Sequence, residues 1–180
     1  MNWNPKYNTL DEVIKDINEI NRESCQLLFN DNREIFYESK GSSHNHQNWK
    51  GGYVDHILET VNIADIIFRA LSFTDRVFDF EFSDVLLILF LHDIEKPFKK
   101  EIVLVDDKGK KDRKKVDEFK FSLIKKYGIV LNDKQNNALT YIEGENEDYS
   151  NTKKTMNRLS AFCHMCDIWS ARGWYDYPKK

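Results

Sequence analysis

The sequence has little of what secreted scaffolds and membrane proteins require. Its three cysteines, Cys25, Cys163 and Cys166, are an odd and sparse set for a disulfide framework, which favours a reducing compartment. The longest apolar run, Val85–Leu91, has seven residues, whereas a membrane-spanning helix needs about 20. The first residues contain no apolar signal core. We therefore expect a cytoplasmic protein that does not associate with a membrane.

Glycine and proline are also scarce, with 7 and 3 residues among 180. Together with 41% hydrophobic and 32% charged residues, this usage is typical of a folded helical protein and excludes a disordered or collagen-like chain. The net charge of −3 provides no overall positive field for coating nucleic acid, so phosphate binding requires a local site. The length suits one domain with its own core. The five histidines then become the informative feature.

Apolar residues recur three and four positions apart along most of the chain, which predicts helices. Thr9 and Glu12 form a candidate capping box for the first of these helices. The predicted helices are 10–29, 33–39, 53–72, 84–93, 116–127, 133–143 and 152–172. The polar segment 41–52, which glycines bound, is predicted to be a loop.

The predicted fold is all-α: a single-domain bundle of about seven helices over 1–180. Residues 1–40 supply N-terminal helices and 41–172 a motif-bearing core. A β-rich stretch followed by an Asp-Asp-Lys-Gly turn favours a small hairpin near 101–113. The helix 84–93 is apolar nearly all round, which predicts burial at the centre, with Ser83 as its N-cap. Because Pro97 cannot continue it, the last turn holds His92 and Asp93.

Residues on three separate predicted helices have the side chains of a metal site: His56, the pair His92 and Asp93, and Asp167. Imidazole and carboxylate ligands suit Mn, Mg, Co, Ni, Fe or Zn, and helix bundles bring such ligands together. A single helical histidine is more often structural, but Asp93 in an apolar helix is costly unless a cation accepts it. The combined set therefore favours a divalent metal ion.

The order of these residues resembles the H…HD…D pattern of the HD-domain superfamily of metal-dependent phosphohydrolases. The segment GGYVDH at 51–56 is similar to the GGLLxH opening of several subfamilies, and HDIEKP at 92–97 resembles their HDxGKP signature. CDIWSAR at 166–172 resembles their late A-D-x-x-S-A-R helix. The matching segments span about three quarters of the chain, from His44 to Arg172. The resemblance implies that His56, His92, Asp93 and Asp167 bind the metal.

Two departures from the family pattern are informative. Glu95 replaces the usual glycine, and Lys96 stands where the HDxxE nucleotidases have an acid. The interval between Asp93 and His164 contains no histidine, whereas subfamilies with several metal ions draw ligands from it. We therefore expect one metal ion per site.

The chemistry of such a site follows from its residue types. A divalent ion activates water and polarises a phosphoryl oxygen. Lys96 is placed to stabilise the charge that develops, and Asp93 acts both as ligand and in catalysis. Gly51 and Gly52 would expose backbone N–H groups to an anion at a helix start. His46, ahead of His44, is the candidate proton donor to the leaving oxygen.

Several neighbours have two interpretations each. Trp49 either stacks on a nucleobase or anchors its loop, and His44 is either a substrate ligand or an exposed loop residue. His164 lies one turn before Asp167, where it would line the active site, and Arg172 follows on the same helix. The spacing of Cys163 and Cys166 permits a zinc knuckle, but a lone pair on an apolar helix favours core packing. The candidate substrate-binding residues are Gly51, Gly52, His44, Trp49, Lys96, His164 and Arg172.

The leading hypothesis is a metal-dependent phosphohydrolase acting on a small phosphorylated substrate, a nucleoside phosphate or dNTP. One alternative is a phosphodiesterase that cuts cyclic nucleotides or nucleic-acid 3′ ends, so nucleic acid enters only as a substrate. Another is a catalytically silent HD fold that serves as a binding module. Nine basic against four acidic residues between Lys96 and Lys115 form either a solvated face or a flap that gathers anionic substrate. Homo-oligomerisation stays open.

Overall fold

Helices account for the regular structure of the residues that this computed structural model describes, which are 4–42, 46–75, 77–99 and 112–173. Within them lie eight α-helices and no strand, which confirms the all-α prediction. The expected hairpin near 101–113 lies outside the described residues, apart from its last two positions. The α-helices are α1 (Leu10–Asp16), α2 (Glu19–Asp31), α3 (Arg33–Glu38), α4 (Gly52–Ser72), α5 (Phe82–Leu91), α6 (Arg113–Lys126), α7 (Asp133–Tyr141) and α8 (Arg158–Ile168). Short 3-10 turns cover Lys96–Phe98 and Asn146–Asp148, and a π-helical turn covers Trp169–Gly173.

Helix α5 lies at the centre of the bundle, as its composition predicts. All seven residues from Val85 to Leu91 are fully buried, and α1, α4, α7 and α8 pack around them. Burying one such side chain stabilises the folded state by about 1.5–3 kcal/mol. The end of α5 is therefore held in place by its packing, and so is the start of the segment that follows. At 10 residues α5 is short. No helix in the described part of the chain has both the length and the apolarity to cross a membrane.

The prediction of a single helix over 10–29 is wrong, because the helix is interrupted between α1 and α2. The side chain of Asn18 accepts a hydrogen bond from the N–H of Asn21 and caps the new helix. The break resets the helical phase, so Ile20 and Leu27, which one continuous helix over 10–29 would place on its apolar face, are 77% and 53% exposed. The capping box of Thr9 and Glu12 at the start of α1 is confirmed.

Two other helix starts differ from the prediction. Glu81, not Ser83, is the N-cap of α5, and its N–H donates to the carboxylate of Asp84 at 3.0 Å. The last helix begins at Arg158 rather than 152, because the side chain of Asn157 accepts from Ser160 N–H at 2.7 Å. The polar segment before it is therefore longer than the sequence suggests, and α8 is short.

Candidate metal centre

Four side chains from three parts of the fold meet inside the bundle. His56 lies in the second turn of α4, His92 and Asp93 directly follow α5, and Asp167 is next to last in α8. His56, His92 and Asp93 are buried, with 0%, 1% and 4% exposure, and Asp167 is partly buried. The three helices pack on one another, which brings the four residues together.

The ligand atoms of these residues have the spacing of one coordination sphere. Nε2 of His56 lies 3.2 Å from Nε2 of His92. Oδ2 of Asp93 lies 3.5 and 3.2 Å from these two nitrogens, respectively, and Oδ1 of Asp167 lies 3.1 and 3.6 Å from them. Atoms bonded at about 2.1 Å to one ion in octahedral or tetrahedral geometry lie about 3.0–3.4 Å apart. His56, His92 and Asp93 therefore form a group that could hold a divalent ion, and Asp167 lies at similar distances from both ring nitrogens.

Both histidines direct the same ring nitrogen to this point. Nδ1 of His92 lies 2.7 Å from the carbonyl oxygen of Leu89, which only accepts hydrogen bonds, so this nitrogen carries a proton. Nδ1 of His56 lies 3.1 Å from Oγ of Ser170. Nε2 of each ring is then the atom available for a metal, and the bond at the other nitrogen orients the ring.

The pair His92 and Asp93 does not occupy the last turn of α5, as the sequence predicted, but the turns beyond it. The N–H of Ile94 donates to Leu91 O, and the N–H of Lys96 donates to Asp93 O. Both bonds join residues three positions apart, as in a 3-10 turn, rather than four apart, as in an α-helix. The chain then enters the 3-10 turn containing Pro97. This departure from α-geometry allows two adjacent side chains to approach the same point, His92 with its distal nitrogen and Asp93 with its nearer carboxylate.

Burial and charge move the pKa values of the two histidines in opposite directions. Burial lowers the pKa of His56 to about 4, against an opposing hydrogen bond with Asp167. Burial would also lower the pKa of His92, but the charges of Asp93 and Asp167 outweigh it and raise the value to about 10. His92 is thus the protonated histidine of the metal-free centre at neutral pH.

The two carboxylates are held ionised by their neighbours. Burial alone would raise the pKa of Asp93, but Lys96 and His92 hold it well below its ordinary value. Hydrogen bonds with His56 and His92 likewise outweigh burial and lower the pKa of Asp167. Asp93 also forms an ion pair with Lys96, whose side chain is only 13% exposed. Among Asp93, Asp167, His92 and Lys96, two negative and two positive charges balance in the metal-free protein.

The loop before α4 places a further histidine beside the centre. The ring centroid of His46 lies 4.7 Å from that of His56, and its Nδ1 lies 2.5 Å from Oε1 of Gln47. Burial lowers the pKa of His46, although Gln47 opposes this. His46 therefore packs directly against one histidine of the candidate centre. His44 lies outside the described residues.

The two glycines shape the loop that precedes α4. Gly51 has a φ of +81°, and a Cβ on Gly52 would lie 2.0 Å from the carbonyl oxygen of Gln47, so the close approach requires glycine. The N–H of Gly52 donates to Trp49 O, and that of Tyr53 to Ser39 O. The role of Gly51 and Gly52 toward an anion stays a prediction.

The remaining predicted substrate residues take different places. Nε1 of Trp49 donates to Oδ2 of Asp55 at 2.6 Å, which favours the anchoring role over stacking on a base. Nδ1 of His164 lies 2.5 Å from Ile142 O, so its ring is tied to the end of α7. Arg172 is exposed in the π-helical turn. Their roles toward a substrate stay predictions.

Cys163 and Cys166 pack in the core, which is the interpretation that the sequence favoured over a zinc knuckle. Both are buried and unpaired, as is Cys25. Burial raises the pKa of Cys166 and Cys25 to about 12, and that of Cys163 well above its ordinary value. Thiols that stay protonated are poor metal ligands.

The sequence analysis missed two groups of residues around the centre. Glu95 and Glu143 each offer a carboxylate oxygen near Asp93, with the three atoms within 4.8 Å of one another. Glu59 and Ser170 form a hydrogen-bonded pair behind His56. Glu59 stands three residues after His56 and Ser170 three after Asp167, so helical spacing from each ligand is the signal that would have found them.

Comparison with known proteins does not assign the chain to a family. It has no significant match among protein-family models, curated proteins or solved structures. The likeness to HD-domain proteins therefore depends on the motifs in the sequence. What the structure adds is the arrangement of His56, His92, Asp93 and Asp167.

Proposed function

We propose that the protein is a metal-dependent phosphohydrolase of the HD type that acts on a nucleotide, either a nucleoside phosphate or a dNTP. The observation that carries the proposal is the convergence of two Nε2 atoms and two carboxylates, with five interatomic separations of 3.1–3.6 Å. The order of these residues along the chain, H…HD…D, is the second support. Neither a surface cluster nor a single buried histidine would have this geometry.

One divalent ion would be held by His56, His92 and Asp93, with Asp167 as the further ligand that the resemblance implies. When bound, such an ion lowers the pKa of water toward neutrality and polarises a phosphoryl oxygen. Binding requires His92 to give up its proton, because a metal ligand must be the unprotonated nitrogen. Two positive charges then replace one, so the charge of the centre rises by one unit. This rise favours the binding of an anion next to Lys96.

Lys96 and His46 supply the two further tasks of hydrolysis. Lys96 is held at the centre by its ion pair with Asp93, where its ammonium group can neutralise charge on the phosphoryl oxygens. His46 lies against His56 and can donate a proton to the leaving oxygen, provided that it first takes one up from solvent. Its lowered pKa makes it a ready donor once protonated.

The test measures metal content and then phosphate release from a panel of dNTPs, nucleoside monophosphates, cyclic nucleotides and oligonucleotides, with Mn, Mg, Co and Ni. We expect stoichiometric metal and release from a nucleotide. The variants His56→Ala and Asp93→Ala should lower turnover by about 100-fold or more. Asp65→Ala, on α4 with Arg69 as partner, is the matched control and should retain activity.

Other outcomes would favour one of the alternative functions or reject the proposed one. Cleavage of diesters alone would favour a phosphodiesterase. Bound metal without turnover on any substrate would favour a binding module, and absence of both metal and turnover would reject the enzyme. Full activity in both His56→Ala and Asp93→Ala would reject the site.

A further inference from the structure

We infer that Glu59 is a positioning residue which, through the hydroxyl of Ser170, holds the ring of His56 with Nε2 directed at the metal centre. Glu59 lies one turn after His56 on α4, and Ser170 lies one turn after Asp167. Neither residue touches the point where the four ligands meet. The inference depends on the proposed metal centre for its purpose, but its hydrogen-bond pattern can be tested separately.

The argument begins with the single proton of Ser170. Oγ of Ser170 lies 2.5 Å from Oε2 of Glu59, and an ionised carboxylate only accepts hydrogen bonds. The hydroxyl proton is therefore donated to Glu59. Oγ can then only accept from Nδ1 of His56, at 3.1 Å, so that nitrogen carries the proton. The lone pair of His56 is left on Nε2, which is the tautomer that a metal requires. In the metal-free protein this nitrogen accepts from the protonated ring of His92 at 3.2 Å. Oδ1 of Asp167, 3.1 Å from the same nitrogen, favours the other tautomer, so Ser170 and Glu59 act against it until a metal ion lies between the two groups.

A second donor keeps Glu59 in this accepting role. Nε2 of Gln47 donates to the same Oε2 of Glu59 at 2.5 Å and lies 3.3 Å from Oγ of Ser170. Gln47 is buried, and its backbone is fixed by the N–H of Gly41, which donates to its carbonyl oxygen at 3.0 Å. Two donors on one oxygen favour the ionised carboxylate, although burial raises the pKa of Glu59. The hydrogen bonds that lead from His56 through Ser170 to Glu59 therefore all donate toward Glu59.

His92 provides the internal comparison. Its Nδ1 donates to the carbonyl oxygen of Leu89, a main-chain acceptor that cannot reverse direction. A serine hydroxyl can donate or accept, so it would leave the tautomer of His56 undetermined without a further group. Glu59 accepts the hydroxyl proton of Ser170 and thereby selects the tautomer of His56. Its carboxylate thus does more than pack between the loop and α4.

The test compares Glu59→Met, Ser170→Ala and the double variant by Co²⁺ titration, read from the visible absorption of the bound ion. Glu59→Met removes the acceptor of the Ser170 hydroxyl, whose proton then turns to Nδ1 of His56 and favours the wrong tautomer. We expect affinity to fall about 10–100-fold in each single variant. Because both act along one path, the double variant should bind no more weakly than the weaker single one. Asp65→Asn and Ser72→Ala, on the same helix α4, are the controls.

A second measurement separates this inference from the metal proposal. In metal-free protein labelled with ¹⁵N-histidine, NMR should show His56 protonated at Nδ1, and this form should be lost in Glu59→Met. That variant carries the test even where Ser170→Ala does not fold. If the wild type fails to bind Co²⁺, the proposed centre is rejected, whereas the NMR result still decides the role of Glu59. Protonation of His56 at Nε2 in the wild type, or Co²⁺ affinity unchanged in Glu59→Met, would overturn the inference.

Discussion

His56 and His92 face each other with their Nε2 atoms 3.2 Å apart, while each Nδ1 is engaged elsewhere. Two unprotonated nitrogens would repel at this distance, so a proton or a cation has to lie between them. The opposite pKa shifts of the two rings, to about 4 and about 10, describe a pair that keeps one proton at neutral pH. The proton and the metal therefore compete for the same place.

This competition predicts that metal binding releases about one proton at pH 7. His92, whose pKa is raised to about 10, is protonated there and must lose its proton, whereas His56, lowered to about 4, has none to lose. Apparent affinity should therefore rise with pH between these two values. Calorimetric titration of Co²⁺ in buffers of different ionisation enthalpy measures the number released. A count near zero would contradict the assignment of the proton to His92.

Replacing Lys96 by methionine should separate metal binding from catalysis. The ammonium group repels a divalent ion next to Asp93, so Lys96→Met should bind Co²⁺ at least as tightly as the wild type. The same change removes charge stabilisation and should lower phosphate release by about 100-fold. Lys125→Met, an exposed position on α6, is the matched control. Equal loss of both properties in Lys96→Met would assign it a structural role instead.

Gln47 should reveal its backbone strain when its side chain is removed. Its φ is +43°, a region that costs a non-glycine residue about 1–3 kcal/mol. Gln47→Ala and Gln47→Gly both lose the hydrogen bonds to His46 and Glu59, but only glycine adopts this φ without strain. We expect Gln47→Gly to be the more stable of the two by about 1 kcal/mol. Urea denaturation measures the difference, and equal stabilities would show that the loop relaxes.

The convergence of His56, His92, Asp93 and Asp167 was predictable from the sequence because each of them is of a residue type that an apolar helix seldom tolerates. Asp93 after seven apolar residues and Asp167 between Cys166 and Ile168 needed a cation, and the order of the histidines supplied the rest. Helix α5 was predictable for the same reason, since a sequence apolar on every face has only the centre of the fold to occupy.

Three features escaped prediction, and one of them depends on contacts between distant segments. The break at Asn18 follows from a local cap, but the apolar spacing runs across it, so the sequence predicted one helix there. The close approach of Gly52 to Gln47 O depends on the path of the loop, which residue types do not indicate. The pairing of Ser170 with Glu59 joins residues 111 positions apart. Helical spacing indicates that each faces the site, but not that they meet.

Thiol reactivity provides a check on the core that needs no assumption about function. Cys25, Cys163 and Cys166 are buried, and burial raises the pKa of each thiol. A raised pKa leaves almost no thiolate, the reactive form, at pH 8. We expect the folded protein to show no rapid reaction with a disulfide reagent, and all three thiols to react in urea.

The most direct test of the loop geometry is the substitution Gly52→Ala. Its Cβ would lie 2.0 Å from Gln47 O, a main-chain atom that can move only if the whole loop shifts. Overpacking of this kind costs about 1–3 kcal/mol. A shift of the loop also disturbs the contact of His46 with His56, whose ring centroids lie 4.7 Å apart. The control Gly128→Ala also strains its backbone, at φ +71°, but its Cβ would meet only Ser24 Oγ at 3.8 Å. We therefore expect both variants to lose stability in urea denaturation and only Gly52→Ala to lose phosphate release. Equal activity in the two variants would show that His46 does not depend on the loop as the structure has it.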